Sequence, residues 1–580
     1  MDRLPSPAPA RVPPERSPSP PSPVSPSPLA ALAHRLLPNG WTMLVVAIAL
    51  FISIPILVVL SNIFAPTGEV WDHLSRTVLP RYVRNSMWLM LGVGCGTAIV
   101  GVGTAWLVSL CQFPGRRWFE WALLLPIAAP AYVLAYTYTD LLDVGGVVQT
   151  WLRAITGWGA RDYWFPPIRS LGGAIAMLVL VLYPYVYLPT RVAFLERSRS
   201  LLEASLSLGN GPWRTFWTVA LPLARPAIAG GVALVLMETL NDFGTVKFFG
   251  VDTFTTGIFR TWRSLGEPVA AAQLAAFLML FILTILIAER ISRGRTRFHQ
   301  TPSGRILPPS YQLSGWRAWA AGTFCALPVL LGFLVPGVAL LWWAIGQAQS
   351  GLERGFWGYA LNSILAAAVT SALAVTIALV LAYGIRLHGN NTVMRVSARL
   401  ATMGYAIPGS VIAVGVLIPA GLLDNTVDAW MRQQFDISTG LLLSGTVAIL
   451  IYAYIVRFLS VSANTIESSL LRIRPELDDA ARSLGYGPLA TLRRVHAPLM
   501  THGLLSAAML VFVDVVKELP ATLVLRPFNF ETMAARVYRL ASDERLIQSA
   551  PGSLAIVLVG MIPATLLVLT VKRSRQENQS

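Results

Sequence analysis

Charge is scarce in this chain. Only 13% of its 580 residues are Asp, Glu, Lys or Arg, against roughly a quarter in a soluble domain. Lysine is scarcer still: Lys247, Lys517 and Lys572 are the only three, and each follows a valine. No Gly-Lys pair exists, so the chain has no Walker A loop to cradle the phosphates of ATP. Cysteine is limited to Cys95, Cys111 and Cys325, all in or beside apolar runs. That excludes a disulfide framework and CxxC metal spacing and points to packing roles. The six histidines (His34, His73, His299, His388, His496, His502) are scattered, mostly in predicted loops. There is no HExxH metal motif and no obvious nucleophile–base grouping, so nothing favours a membrane-embedded enzyme.

What the chain has in abundance is apolar surface. Hydrophobic residues make up 54% of it, and its mean hydropathy is +0.59. Apolar runs of about twenty residues recur, each long enough to cross a hydrocarbon core of roughly 30 Å. Isolated strands cannot satisfy their backbone in lipid, so the runs read as helices. The spacing predicts spans near Trp41–Phe64, Asn85–Leu110, Trp118–Leu142, Ser170–Phe194, Pro226–Phe243 and Val269–Ile287. A second set follows near Ala318–Ile345, Leu361–Ile385, Ala398–Leu423, Gly440–Val456, Thr501–Leu525 and Gly552–Val571. The expectation is an all-α polytopic membrane protein with about twelve transmembrane helices. Its first span is too long for a cleaved signal and reads as an anchor.

The formal net charge of +16 suits cationic cytoplasmic loops better than a nucleic-acid partner. With both termini cytoplasmic, the inner segments carry more Lys and Arg than the outer loops. Residues 1–40 begin with a Pro/Ser-rich stretch, expected to be a disordered cytoplasmic tail. Residues 290–317 are basic and Pro/Gly-containing, a cytoplasmic linker between a first half (41–289) and a second (318–571). Residues 572–580 form a closing tail.

The halves look like repeats. "LLEASLSLGNGPWRTFWTVALPLARPAI" (Leu201–Ile228) returns as "LDDAARSLGYGPLATLRRVHAPLMTHGL" (Leu477–Leu504). An offset of 276 pairs Glu203 with Asp479, Ala204 with Ala480, Leu208 with Leu484, Gly209 with Gly485, Gly211 with Gly487, Pro212 with Pro488 and Pro222 with Pro498. About six spans per half gives the repeats the same orientation, related by an axis along the membrane normal. Each insert reads as a short helix, a turn and a second helix. Gly209 and Gly211 are suited to positive φ, and Pro212 to a first helical turn. A plain connecting hairpin would drift between copies, whereas this core is held in both. The inserts (196–225 and 464–500) are therefore candidate docking loops.

Glu203-Ala204-x-x-x-Leu208-Gly209 and Asp479-Ala480-x-x-x-Leu484-Gly485, each with its downstream proline, resemble the EAA loop of permease subunits of binding-protein-dependent ABC importers. The second copy departs in having Asp479 for Glu and Ala497 where the first has Leu221. The resemblance implies the type I ABC importer permease fold, with each loop acting as a coupling helix seated in a cytoplasmic ATPase. Two loops imply two ATPase copies, with ATP bound by the partner and no cofactor in this chain. It further implies the bacterial inner membrane.

The span after each loop carries unusual charge. "METLNDFGTVKFFG" (Met237–Gly250) aligns with "VDVVKELPATLVLRP" (Val513–Pro527), pairing Glu238 with Asp514, Asn241 with Lys517, Asp242 with Glu518 and Gly244 with Pro520. Each copy has acids four apart, on one helix face. A rise of 1.5 Å per residue puts Glu238 roughly 18 Å along the helix from Pro226. Ionisable groups at such depth usually face a cavity or a partner. Glu238, Asp242, Asp514, Lys517 and Glu518 are thus candidate path residues. The competing reading has Lys517 neutralise one acid while the others cap or bond within the bundle. Gly244 and Pro520 should end or bend the helix just beyond the acids. An acidic path favours a cation, and a hard cation prefers oxygen ligands.

"LNDFGTVKFFGVDTFTTGIFRTWRSLGEPVAAAQLA" (Leu240–Ala275) and "KELPATLVLRPFNFETMAARVYRLASDE" (Lys517–Glu544) resemble the fused two-half permeases of ferric-iron importers. That resemblance implies iron(III) as substrate, delivered by a periplasmic binding protein that docks on the outer face. Thiamine, polyamine and phosphonate permeases share the fold. A secondary transporter would also have repeats and intramembrane acids, but not two coupling loops.

Overall fold

A backbone amide in hydrocarbon has no water to bond, so an apolar run must satisfy its amides internally. In this chain it does so as helix. The computed structural model describes residues 40–66, 69–197, 205, 207–293, 311–349 and 353–577. The expectations for the Pro-rich tail, most of the linker, Glu203 and Ala204 lie outside the described residues. Among those described, nine helices are long and apolar enough to cross a membrane, or up to twelve if each of three bent pairs is one span. The chain is a multi-pass all-α membrane protein. Its only strands among the described residues are Cys111–Gln112 and Tyr311–Gln312, paired in parallel, which tie the end of the linker to the first half.

The bent pairs are Arg116–Ala128 with Ala131–Thr156 (91°), Leu171–Leu182 with Pro184–Leu195 (41°) and Pro488–Leu499 with Thr501–Val516 (79°). Pro130 and Pro184 stand at the first two breaks, where a missing N–H and a restricted preceding residue interrupt the helix. Several expected spans shift. The one expected at Ala398–Leu423 starts instead at Gly409, after Pro408, and Thr392–Ala401 is a separate helix. The one expected at Gly440–Val456 runs from Val447 to Leu471. The one expected at Thr501–Leu525 stops at Val516, and Pro520–Leu525 forms a new short helix. The last helix, Leu546–Glu577, continues into the expected tail.

The repeat is visible in the packing. Helices Leu79–Leu110, Pro184–Arg197 and Leu221–Asn241 pack on one another, and so do their second-half counterparts Phe356–His388, Val447–Leu471 and Thr501–Val516. Small residues let these backbones approach: Ala367, Ala374 and Ala378 are fully buried, and the Ser462 hydroxyl donates across the interface to the Ala374 carbonyl at 3.2 Å. In membranes such close packing replaces the hydrophobic drive that lipid removes.

The halves of the sequence are not separate halves of space. The first helix, Gly40–Ser61, packs on Thr392–Ala401 and Gly409–Phe435 of the second half. Reciprocally, the segment Trp316–Leu334 packs on first-half helices. One tyrosine fastens each exchange: Tyr452 donates to the Phe51 carbonyl, and Tyr138 to the Leu331 carbonyl, both at 2.6 Å. Each bond contributes on the order of 1 kcal/mol in a membrane. Both buried apolar clusters accordingly draw on both halves, one joining Leu89 to Leu519 and the other Val45 to Val411.

Candidate translocation cavity and coupling surfaces

Helix Leu221–Asn241 ends three residues before Gly244, and Thr501–Val516 ends four before Pro520. The breaks therefore precede Asp242 and Glu518, which lie beyond the helices on which i, i+4 spacing had placed them. The reason is local. A short helix begins at Gly244 or Pro520, and its first amides lack intrahelical partners. Asp242 accepts from the Val246 amide at 3.1 Å and the Thr245 hydroxyl at 3.0 Å. Glu518 accepts from the Ala521 and Thr522 amides at 2.9 and 3.0 Å and from the Thr522 hydroxyl at 2.6 Å. A carboxylate there satisfies orphan donors and meets the positive end of the helix dipole.

Glu518 also pairs with Arg457 at 3.1 Å, and both side chains are more than nine-tenths buried. Gly409 is required beside them, because a Cβ there would strike the Arg457 guanidinium and the Glu518 carboxylate. The Gly409 amide donates to the Asn241 side-chain oxygen at 2.9 Å, tying the two halves together at the break.

All five predicted path residues border one cavity of about 130 Å³. Such a volume holds several waters. Glu238 and Asp514 are equivalent, as are Asp242 and Glu518, so the cavity sits between the repeats and on their common axis. Asp514 is paired with Lys517 at 2.8 Å. The Glu238 carboxylate has no hydrogen-bond or ion-pair partner among the described residues. The rest of the polar wall is Asn241 together with Tyr132, Tyr185, Tyr405 and Arg457; the last four were not among the path residues expected from the sequence. Arg457 carried a usable signal, a charge at the end of an apolar run. The phenols carried none, since tyrosine in a span is ordinary. Among the described residues, no three His, Cys, Asp or Glu side chains converge as a metal-ligand set.

At the other end of these helices lie the two inserts. Gly209 and Gly485 both adopt left-handed backbone, φ 79° and 78°, which a side chain would strain. Each turn closes with the same bond: Asn210 N to Ser205 O at 3.1 Å, Tyr486 N to Ala481 O at 3.0 Å. Gly211 does not take positive φ. Like Gly487 it is an extended N-cap, and Pro212 or Pro488 opens the next helix. A π-helical turn follows at equivalent positions, Phe216–Ala220 and Leu492–His496. In the second copy the helix Glu476–Ser483 presents Asp479, Ala480, Leu484 and Gly485 at the surface. Leu208 and Leu484 are 80% and 75% exposed, large apolar side chains without cover at matching positions.

Residues 27–297 match the family described as binding-protein-dependent transport system inner membrane component. The first half of this chain therefore carries a permease domain of that kind. The permease is similar over most of its length to the Fe(3+)-transport system permease protein FbpB 2 of Haemophilus influenzae, 28% identical across 91% of this chain and 98% of that protein. It is 25% identical to the ferric transport system permease protein FbpB of Actinobacillus pleuropneumoniae, across 86% of this chain and 72% of the other. The molybdenum transport system permease protein ModB of Escherichia coli is 28% identical over 205 residues, which is 34% of this permease but 86% of ModB. A shorter relative that aligns along most of its own length fits a permease built from two fused halves. Permeases of that family work with a binding protein and an ATPase.

Proposed function

We propose that this permease moves iron(III) from a periplasmic binding protein to the cytoplasm, driven by two copies of a separate ATPase. The observation that carries this reading is the cavity where equivalent spans of the two halves break, with the equivalent acids Glu238 and Asp514 on its wall. Carboxylate and phenol oxygens are hard donors suited to a hard cation. Three relatives aligned over most of the chain are ferric permeases by name. The ATPase copies would seat on the inserts 196–225 and 464–500, through Glu203, Ala204, Leu208 and Gly209 in the first and Asp479, Ala480, Leu484 and Gly485 in the second. ATP would be bound only by the partner, because this chain has no Gly-Lys pair.

Iron-55 uptake in a strain lacking the permease gene tests this. Uptake should return with the permease and its ATPase, stop when the ATPase carries an inactive catalytic site, and survive collapse of the proton gradient. Uptake that follows the proton gradient and ignores the ATPase would make the chain a secondary transporter.

A further inference from the structure

A second cavity lies one short helix beyond the acidic one, on the side away from the inserts. Pro520, at the start of helix Pro520–Leu525, lines the acidic cavity; Leu523 and Arg526, at its other end, line the second, of about 560 Å³. Six helical residues span roughly 9 Å, so the two openings are near neighbours. The polar wall of the second is Arg263, Arg526, Arg539 and Glu531, with Phe528 almost fully exposed at its rim. Arg263 and Arg539 are related by the offset of 276 that relates Glu238 to Asp514. Both openings are therefore lined by equivalent residues from the two halves and lie between the repeats.

Their charges are opposite. In the second cavity Glu531 pairs with Arg539 at 2.7 Å. Among the described residues, Arg263 and Arg526 have no ion-pair partner. Arg526 is half-buried; that burial holds its guanidinium below its ordinary value, with Glu531 opposing and the charges of Arg539 and Arg263 adding to the effect. Guanidinium nevertheless keeps its proton at neutral pH. Converging guanidiniums on one wall repel one another unless an anion lies between them, and their planar forks match the oxygens of carboxylate or phosphate.

We propose that the cavity lined by Arg263, Arg526 and Arg539 is an oxyanion site at the outer mouth, which binds a carboxylate or phosphate group. A bare cation would be repelled at this ring, and an oxyanion bound there neutralises it ahead of the acidic cavity. The group comes from one of two sources: a small polycarboxylate that accompanies the cargo, or an Asp or Glu side chain of the docked binding protein. The site does not depend on the cargo being iron.

The test uses the full-length permease with its ATPase in nanodiscs and needs no transport. One arm titrates citrate by calorimetry. The other measures docking of the cargo-free binding protein without citrate. In whichever arm the site acts, Arg263→Gln and Arg526→Gln should each weaken binding about tenfold, the worth of a lost charge-assisted bond. Glu531→Gln should tighten it, a gain that misfolding does not produce. Losses confined to citrate identify a free anion; losses confined to docking identify an acid of the binding protein. If all three variants stay within twofold of wild type in both arms, the proposal is wrong.

Discussion

Asp242 and Glu518 stand 276 positions apart, and each carboxylate accepts a hydrogen bond from the amide four residues ahead, Val246 at 3.1 Å and Thr522 at 3.0 Å. The intramembrane charge of this permease therefore divides in two. Asp242 and Glu518 hold the starts of the short helices after the breaks. Glu238 and Asp514, one turn earlier, border the opening between the halves.

Glu518 and Asp242 should differ in what their loss does to stability. Glu518→Gln leaves Arg457 buried without its anion, at a cost of roughly 3–5 kcal/mol. Asp242 has no cation partner among the described residues, and Asp242→Asn keeps an acceptor for the Val246 amide, so its loss should be roughly 1 kcal/mol. Thermal unfolding of the purified permease in detergent compares them. Equal losses would show that the Arg457 pair is not what sets Glu518 apart.

The exposed leucines of the inserts should matter for assembly and not for folding. Leu208→Ser and Leu484→Ser should each reduce the ATPase recovered with the permease, and the pair together should abolish it, at unchanged permease yield. Gly485→Val adds strain of roughly 1–2 kcal/mol at a left-handed position and should act in the same direction. Full ATPase recovery with the double variant would place docking elsewhere.

The second insert has an anchor whose donor has no basic sequence equivalent in the first half. Arg386 donates to the Asp478 carboxylate at 2.8 Å and to the carbonyls of Leu470 and Ile473 at 2.7 and 3.1 Å. The equivalent of Arg386 in the first half is Leu110. Arg386→Ala should raise hydrogen exchange across Glu476–Ser483 and leave Pro212–Thr215 unchanged. Exchange that rises equally in both, or in neither, contradicts a local anchor.

The fold was largely legible in the sequence because a bilayer imposes length and polarity on every span. The repeat was legible because Gly209 and Gly485 need the same left-handed turn and kept the same neighbours. Three things were not. The exchange of first helices is a matter of which surface Gly40–Ser61 meets, and its own apolar pattern is the same on any partner. The position of each break depends on where Asp242 or Glu518 finds free amides, which moves the helix end ahead of Gly244 and Pro520. The cavity's phenols, Tyr132, Tyr185 and Tyr405, come from three separate helical segments, and only tertiary packing brings them together.

The measurement that bears most directly on the path is iron-55 uptake into proteoliposomes containing the complete transporter with Glu238→Gln. Glu238 holds no bond that folding requires, so the variant should assemble with the ATPase and hydrolyse ATP at the wild-type basal rate. Its uptake should fall about tenfold, the effect of removing one charge-assisted contact. Wild-type uptake by an intact Glu238→Gln complex would contradict the placement of the path through this cavity.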